Sequence, residues 1–343
     1  MKSSNYKLLG KYVKHWKNIY QTPICLAQGD CNSKIISRSH TISKAISLTH
    51  ITEKNHVLVR QVNLFANSEK ELLSINQLSI NDALTFKGFC NKHDTNLFQS
   101  LDKSEFVATP EQIFMQAYRC VCRELYFKTC QIELSLNAEQ VAELQGLPSD
   151  NNYNLSQDMK LMEQAKLKGL EDILKCKEKF DNLLKHSEFI RLRSFVIYAD
   201  TFPVFACAGS FTPAYLSNGE ELQDFSDFDS NLQVLFISAI PVESGMFFIL
   251  SFFDDEAKAP IRFIEDLIAT NNLSHRLIWL CITHIENIAF KPSWWNGLMD
   301  DTRSEINKDV NCNSDPFDSR LPTFNNMPNL KVDKWNIQHQ FWI

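Results

Sequence analysis

The stretch GFCNKHDTNLFQSL, residues 88–101, sets a cysteine and a histidine three positions apart, Cys90 and His93, at the start of an amphipathic run. Leu97, Phe98 and Leu101 fall on one side at helical spacing, so the run reads as a knuckle that hands its last ligand to a helix. Two residues between ligands let the backbone turn tightly around a metal. A matching half-site lies upstream in PICLAQGDC, residues 23–31, where Cys25 and Cys31 flank a Gly–Asp loop. Thiolate and imidazole are soft to borderline ligands, and four of them suit tetrahedral zinc. The spacing therefore predicts a structural Zn2+ held by Cys25, Cys31, Cys90 and His93. The simpler reading makes the three cysteines small buried residues.

Between the half-sites lies SRSHTISKA, residues 37–45, with His40 in a segment, Ile35 to Ile42, that reads as extended. A neutral imidazole near pH 7 suits proton abstraction. It also suits a hydrogen bond across the zinc module, or replacement of Cys25 or Cys31 as a ligand. The second expected strand is HVLVRQVNLF, residues 56–65, with Val57, Val59 and Gln61 facing one way and Leu58, Arg60 and Val62 the other. Residues 66–87 read as a polar, irregular insertion.

A zinc knuckle, a histidine-bearing strand, a second strand and a helix opened by a second knuckle resemble the HNH, or ββα-metal, nuclease family. The resemblance covers residues 25–100. It implies a treble-clef-like zinc module in which His40 is the general base. Asp94 or Asn96 would then contribute metal binding or orientation, with a second ion, Mg2+ or Mn2+, at the leaving phosphate. Ser39 stands where that family usually has an acid, and Asp94 where it often has Asn. SHTIS together with GFCNKHD also resembles a bacterial family without an assigned activity.

Charge is distributed unevenly. Residues 1–135 carry 17 Lys and Arg against 11 Asp and Glu, whereas the remainder carries 18 against 30. A basic end beside a metal site suits phosphate, and the candidate nucleic-acid contacts, to DNA or RNA, are Lys34, Arg38, Lys44, Lys92, Arg119 and Arg123. A solvated basic helix over residues 5–20 accounts for part of the same charge. No G-x4-GK[ST] loop, G-x-G-x-x-G turn or G-x-S-x-G elbow occurs, which disfavours nucleotide hydrolysis, dinucleotide redox chemistry and serine hydrolysis. Scattered cysteines, no secretion signal and no long apolar window suggest a cytoplasmic protein without a membrane partner.

Downstream, Thr109, Pro110 and Gln112 form a capping box that opens a helix over 110–134, with Ile113, Phe114, Ala117, Tyr118, Val121 and Leu125 as its buried stripe. A short helix from Asn137 to Leu144, a linker at 148–154 and a long charged helix at 156–187 follow. Residues 193–207, 231–240 and 245–253 are β-rich, with PVESG, 241–245, as a hairpin turn. Helices are expected over 258–270 and 274–288, then a polar tail whose Trp335 and Trp342 dock. His284 and Glu286 read as a polar pair, and Trp294 and Trp295 as a packing anchor.

The expected fold is α+β: a basic zinc module with supporting helices (1–147), a helical connector (148–190), an acidic α/β domain with an antiparallel sheet (191–300) and a tail (301–343). The expected function is a zinc-stabilised, HNH-like nucleic-acid-processing protein. A stand-alone metal-dependent nuclease joined to a sensing domain would suit an effector of bacterial anti-phage defence. The alternative is a non-catalytic zinc-binding adaptor that recognises a protein partner through its acidic C-terminal domain.

Overall fold

Three runs, LRSFVIYAD, LFISAIPV and GMFFILSFF, are rich in aromatic and β-branched residues, which suit pleated strands covered on both faces. They form the middle of an eight-stranded antiparallel sheet in the computed structural model. Its described residues are 14–15, 18–29, 31, 33, 38–62, 73–133, 152–225, 227, 229–314 and 335–343. The strands are β1 (Ser39–His40), β2 (His56–Val62), β3 (Leu73–Ser79), β4 (Thr85–Phe86), β5 (Leu192–Asp200), β6 (Phe205–Phe211), β7 (Leu235–Val242), β8 (Gly245–Phe253), β9 (Ile288–Phe290) and β10 (Asn336–Trp342). The helices are α1 (Asn91–Leu97), α2 (Gln99–Asp102), α3 (Pro110–Glu133), α4 (Asn152–Lys185), α5 (Lys258–Ile268), α6 (Leu273–His284), α7 (Pro292–Gly297) and α8 (Asp300–Ser314).

The sheet runs β10-β5-β8-β7-β6-β9-β2-β3, and β1 and β4 make a separate two-stranded ribbon. The chain is thus mixed helix and sheet with antiparallel pairing, as α+β requires. Alternation along each strand splits the core in two. Val57, Val59 and Val196 join α3, α4 and the cysteine knuckles, whereas Leu58, Phe195 and Ile197 join α5, α6 and α8. The sheet draws on three of the four expected segments: β2 and β3 precede residue 147, β9 couples them to β6, and β10 comes from the tail. Arg60 adds a long-range tie. Its Nη2 donates to the carbonyl of Ile282 at 2.6 Å, near the C-terminal end of α6 where a cation is favoured.

The capping box forms as expected. The Gln112 amide donates to Thr109 Oγ1 at 3.2 Å, and the Thr109 amide to Gln112 Oε1 at 3.4 Å. The helix it opens differs from a one-sided stripe, because every residue from Gln112 to Cys122 is buried. α3 is enclosed by the sheet, α4 and the knuckles, so even its polar positions lie inside. At its far side, Phe180 of α4 meets Phe114 at 5.1 Å, Phe236 at 5.2 Å and Phe253 at 4.9 Å between ring centroids.

Several elements depart from expectation. The polar stretch 66–87 contains β3 and β4. β3 is an edge strand, and its polar side chains pair along the ladder, Asn76 donating to Gln61 Oε1 at 2.9 Å. The helix expected over 274–288 stops at His284, the chain turns extended at Ile285, and the unexpected strand β9 places Ile288, Ala289 and Phe290 between β6 and β2. The tail contains α8 and β10. Trp335 stacks on Phe248 at 5.3 Å, and Trp342 packs on Phe195 at 4.9 Å. The hairpin at Glu243–Ser244 and the packing of Trp294 and Trp295 against Phe290 match expectation. Most of the 5–20 helix and all of the 137–144 helix lie outside the described residues.

Candidate metal centre and its histidine strand

The two knuckles meet through backbone pairing. The amides of Ile24 and Leu26 donate to the carbonyls of Lys87 and Gly88 at 3.1 and 2.8 Å, which sets Cys25 beside Cys90. Gly88 permits this approach, because a Cβ there would lie 2.3 Å from the Phe86 ring. Cys90 is the N-cap of α1, its sulfur accepting from the His93 amide at 3.4 Å.

Cys25, Cys31, Cys90 and His93 then form one cluster, all four ligand atoms within 4.8 Å of one another. Cys25 Sγ lies 3.3 Å and Cys90 Sγ 3.4 Å from His93 Nδ1, and Cys31 Sγ lies 3.6 Å from Cys90 Sγ. With bond lengths of about 2.3 Å to sulfur and about 2.0–2.1 Å to nitrogen, a zinc tetrahedron has edges near ~3.8 Å between sulfurs and ~3.6 Å between sulfur and nitrogen. The observed edges fit that figure and are too long for a disulfide. The chain therefore holds a Cys3His cluster that could bind a metal such as zinc. Burial resists ionisation of both Cys25 and Cys90. Hydrogen bonds from the His93 amide and the neighbouring thiols carry Cys90 below the ordinary thiol value, whereas Cys25 stays above it.

The histidine strand is clamped on both sides of His40. Ser39 Oγ donates to Asp94 on α1. The Thr41 amide donates to the Leu84 carbonyl at 2.8 Å, and Gln116 of α3 donates to the Thr41 carbonyl at 3.0 Å. β1 pairs with β4 rather than β2, so the order around the cluster is strand, strand, helix: β1, β4, α1. His40 itself is half-buried, its Nε2 lying 2.9 Å from the Ile80 carbonyl. A carbonyl cannot donate, so Nε2 carries the proton and Nδ1 keeps its lone pair. Burial lowers the His40 pKa below the ordinary histidine value, against the Ile80 carbonyl, which raises it. The charges of Arg119 and Lys44 add to the lowering. The ring is neutral at pH 7. It is not among the four clustered ligands.

The other expected site residues scatter. Asp94 accepts from Ser39 and lies 3.9 Å from Arg119 Nη2, and Asn96 is exposed on α1. Arg38 is exposed and paired with Asp82, Lys44 is exposed and donates to Asn81 Oδ1 at 3.1 Å, and Lys92 is exposed. Lys34 lies outside the described residues. Arg119 is a correction. At 1% exposure it is an interior residue, paired with Asp102 and lying 4.0 Å over the Phe98 ring, so it presents no charge to nucleic acid. Arg123 is largely covered, bonded to Glu124 and placed over Phe127. Ile80, Asp102 and Gln116 were missed. A backbone carbonyl has no residue-type signal, and the other two act through contacts distant in sequence.

His284 does not pair with Glu286. It packs between Phe211 and Trp279, at 4.6 and 5.4 Å, and burial pushes its pKa down to about 4. The unfolded chain takes up this proton near pH 6.5 and the folded chain only near 4. The stability due to neutral His284 is full above pH 6.5 and lost as pH falls toward about 4. His284→Phe is expected to flatten that part of the profile. Urea unfolding across the window checks it, and an identical slope in wild type and variant would refute it.

No protein-family model, curated protein or solved structure matches the chain. Among the described residues, no helix is long and apolar enough to cross a membrane.

Proposed function

We propose that the protein is a zinc-stabilised, HNH-like phosphodiesterase acting on nucleic acid, with a treble-clef-like module spanning the two knuckles. The observation that carries this reading is the fixed histidine: a neutral imidazole on a strand, its Nε2 anchored to the Ile80 carbonyl and its Nδ1 lone pair available, beside a helix opened by Cys90 and His93. In this reading Cys25, Cys31, Cys90 and His93 hold zinc as a scaffold, and Nδ1 of His40 takes the proton from the attacking water. A divalent Mg2+ or Mn2+ would supply charge stabilisation at the leaving oxygen. Asp94 is the candidate to orient it, through the carboxylate that Ser39, the neighbour of His40, also engages.

One observation favours the alternative, a zinc-binding adaptor with a protein partner. Among the described residues the cysteine–histidine cluster is the single group of three or more His, Cys, Asp or Glu that could hold a metal. His40→Ala separates the two readings. A phosphodiesterase loses cleavage of DNA or RNA by about a hundredfold or more with Mg2+ or Mn2+ while its zinc content and unfolding midpoint stay unchanged. Wild-type protein that shows no metal-dependent cleavage would be an adaptor.

A further inference from the structure

An open cleft of about 720 Å³ lies beside the histidine strand, lined by Lys44, Thr49, Thr52, Lys54, Asn55 and Asn81, with Ile80 in its wall. Ile80 is also the residue whose carbonyl anchors His40. The cleft and the candidate base therefore share one piece of backbone. We infer that this cleft is a binding groove for the phosphodiester backbone of a nucleic acid, with Lys44 and Lys54 as its paired cation contacts. The placement of the scissile bond toward His40 rests on the function proposed above; binding in the cleft does not.

Three observations support it. First, no carboxylate lines the cleft among the described residues. The acids nearest in sequence are already engaged: Asp82 pairs with Arg38, and Glu53 accepts from the amide and hydroxyl of Ser293. Two ammonium groups thus stand without a compensating charge on the wall. Second, the donors that remain suit phosphate. Thr49 and Thr52 spend their hydroxyl protons on the carbonyls of Ala45 and Leu48, at 3.1 and 2.7 Å. The phosphate donors are therefore Lys44, Lys54 and the side-chain Nδ2 groups of Asn55 and Asn81.

Third, the tip that carries Lys54 is held rigidly. Glu53 and His56 exchange backbone hydrogen bonds at 2.9 Å in both directions, closing a two-residue turn. Lys54 and Asn55 sit there at φ 50° and 64°. Such a turn favours Asn-Gly, and a long cation at positive φ is unfavourable unless its surroundings enforce it. Here they do. The Asn55 carbonyl accepts from the Ile80 amide at 3.0 Å, and the Lys54 carbonyl lies 2.7 Å from His56 Nδ1. The turn therefore holds the Lys54 backbone at a fixed position on the rim of the cleft.

The test is anisotropy of a labelled single-stranded DNA with the full-length, zinc-loaded protein, titrated over a range of salt without added Mg2+. Lys44→Gln/Lys54→Gln is expected to weaken binding about tenfold near 0.1 M salt and to reduce the slope of log K against log salt by ~1.4, two phosphates' worth. Lys160→Gln/Lys166→Gln, which removes two exposed charges on α4, controls for net charge. Equal effects of control and double variant overturn the inference, as does wild-type protein that fails to bind at low salt. A wild type that cleaves DNA while the double variant binds it unchanged removes the cleft and leaves the phosphodiesterase reading standing. Loss of binding in the double variant, with no cleavage by wild type, supports the cleft and removes the phosphodiesterase.

Discussion

Purified protein is expected to carry about one zinc per chain, and Cys90→Ser to carry none. Cys90 is the choice because two of the three closest contacts within the cluster pass through it. It contacts Cys31 and His93, caps α1, and sits at the knuckle whose backbone pairs with the first half-site. Serine keeps the cap geometry but not a soft thiolate, so metal affinity should fall while α1 is still nucleated. Structural zinc contributes about 10–16 kcal/mol of apparent binding energy in isolated finger peptides, whose folds vanish without it. Here the loss is only partly transmitted to the whole chain. The knuckles rest on an aromatic row, Phe86 on Phe89 at 5.9 Å and Phe89 on Phe98 at 5.1 Å, whose packing does not depend on a metal ligand. A loss of several kcal/mol would lower the thermal midpoint by about 10 °C in a chain of this size. Hydrogen exchange should rise over residues 20–29, 38–51 and 80–102 before it rises in the sheet. Elemental analysis beside thermal unfolding, with and without a strong chelator, measures both effects. Well-folded wild type without zinc, indifferent to the chelator, would remove the metal centre.

What could be read from the chain in advance was local chemistry. Four ligands at knuckle spacing, a capping box at Thr109 and Gln112 and a tight turn at Glu243–Ser244 each involve side chains whose partners lie within a few residues, or whose residue types name their own chemistry. What escaped was decided by distant partners. Ile288–Phe290 has only three residues with which to declare a strand, and its conformation follows from β6 and β2 on either side. The segment at 56–65 was expected as the second strand of the module; Thr85–Phe86 is the strand that pairs with β1, and His56–Val62 instead forms a hairpin with Leu73–Ser79 in the large sheet. The anchor of His40 is a backbone carbonyl, and nothing in the letter of residue 80 announces it.

Arg119 is where the misreading has the largest consequence. Four residues from Arg123 on a capped helix, it looked like part of a basic stripe. α3 is buried on every side from Gln112 to Cys122, so Arg119 points inward. Its guanidinium meets Asp102 through two nitrogens, at 3.1 and 2.5 Å, faces Asp94 at 3.9 Å and lies over Phe98, 4.0 Å from the ring centroid. The pair is asymmetric. The arginine side chain is 1% exposed and Asp102 is 37% exposed, so water can receive the carboxylate if the arginine is lost. Breaking a fully buried pair costs about 3–5 kcal/mol; with one partner solvated, Arg119→Ala should lie near the lower end, ~3 kcal/mol. Arg119→Lys keeps the charge but loses the planar fork and the stacking, so its cost should be intermediate. The Asp94 carboxylate that faces Arg119 also holds Ser39, so the loss should extend to the His40 strand and raise the His40 pKa, which Arg119 lowers. Urea unfolding and the histidine titration by NMR measure these two effects together. A surface cation would behave oppositely: Arg119→Ala would leave the urea midpoint where it was and reduce the salt dependence of oligonucleotide binding. That result would return Arg119 to the nucleic-acid face and overturn its interior assignment.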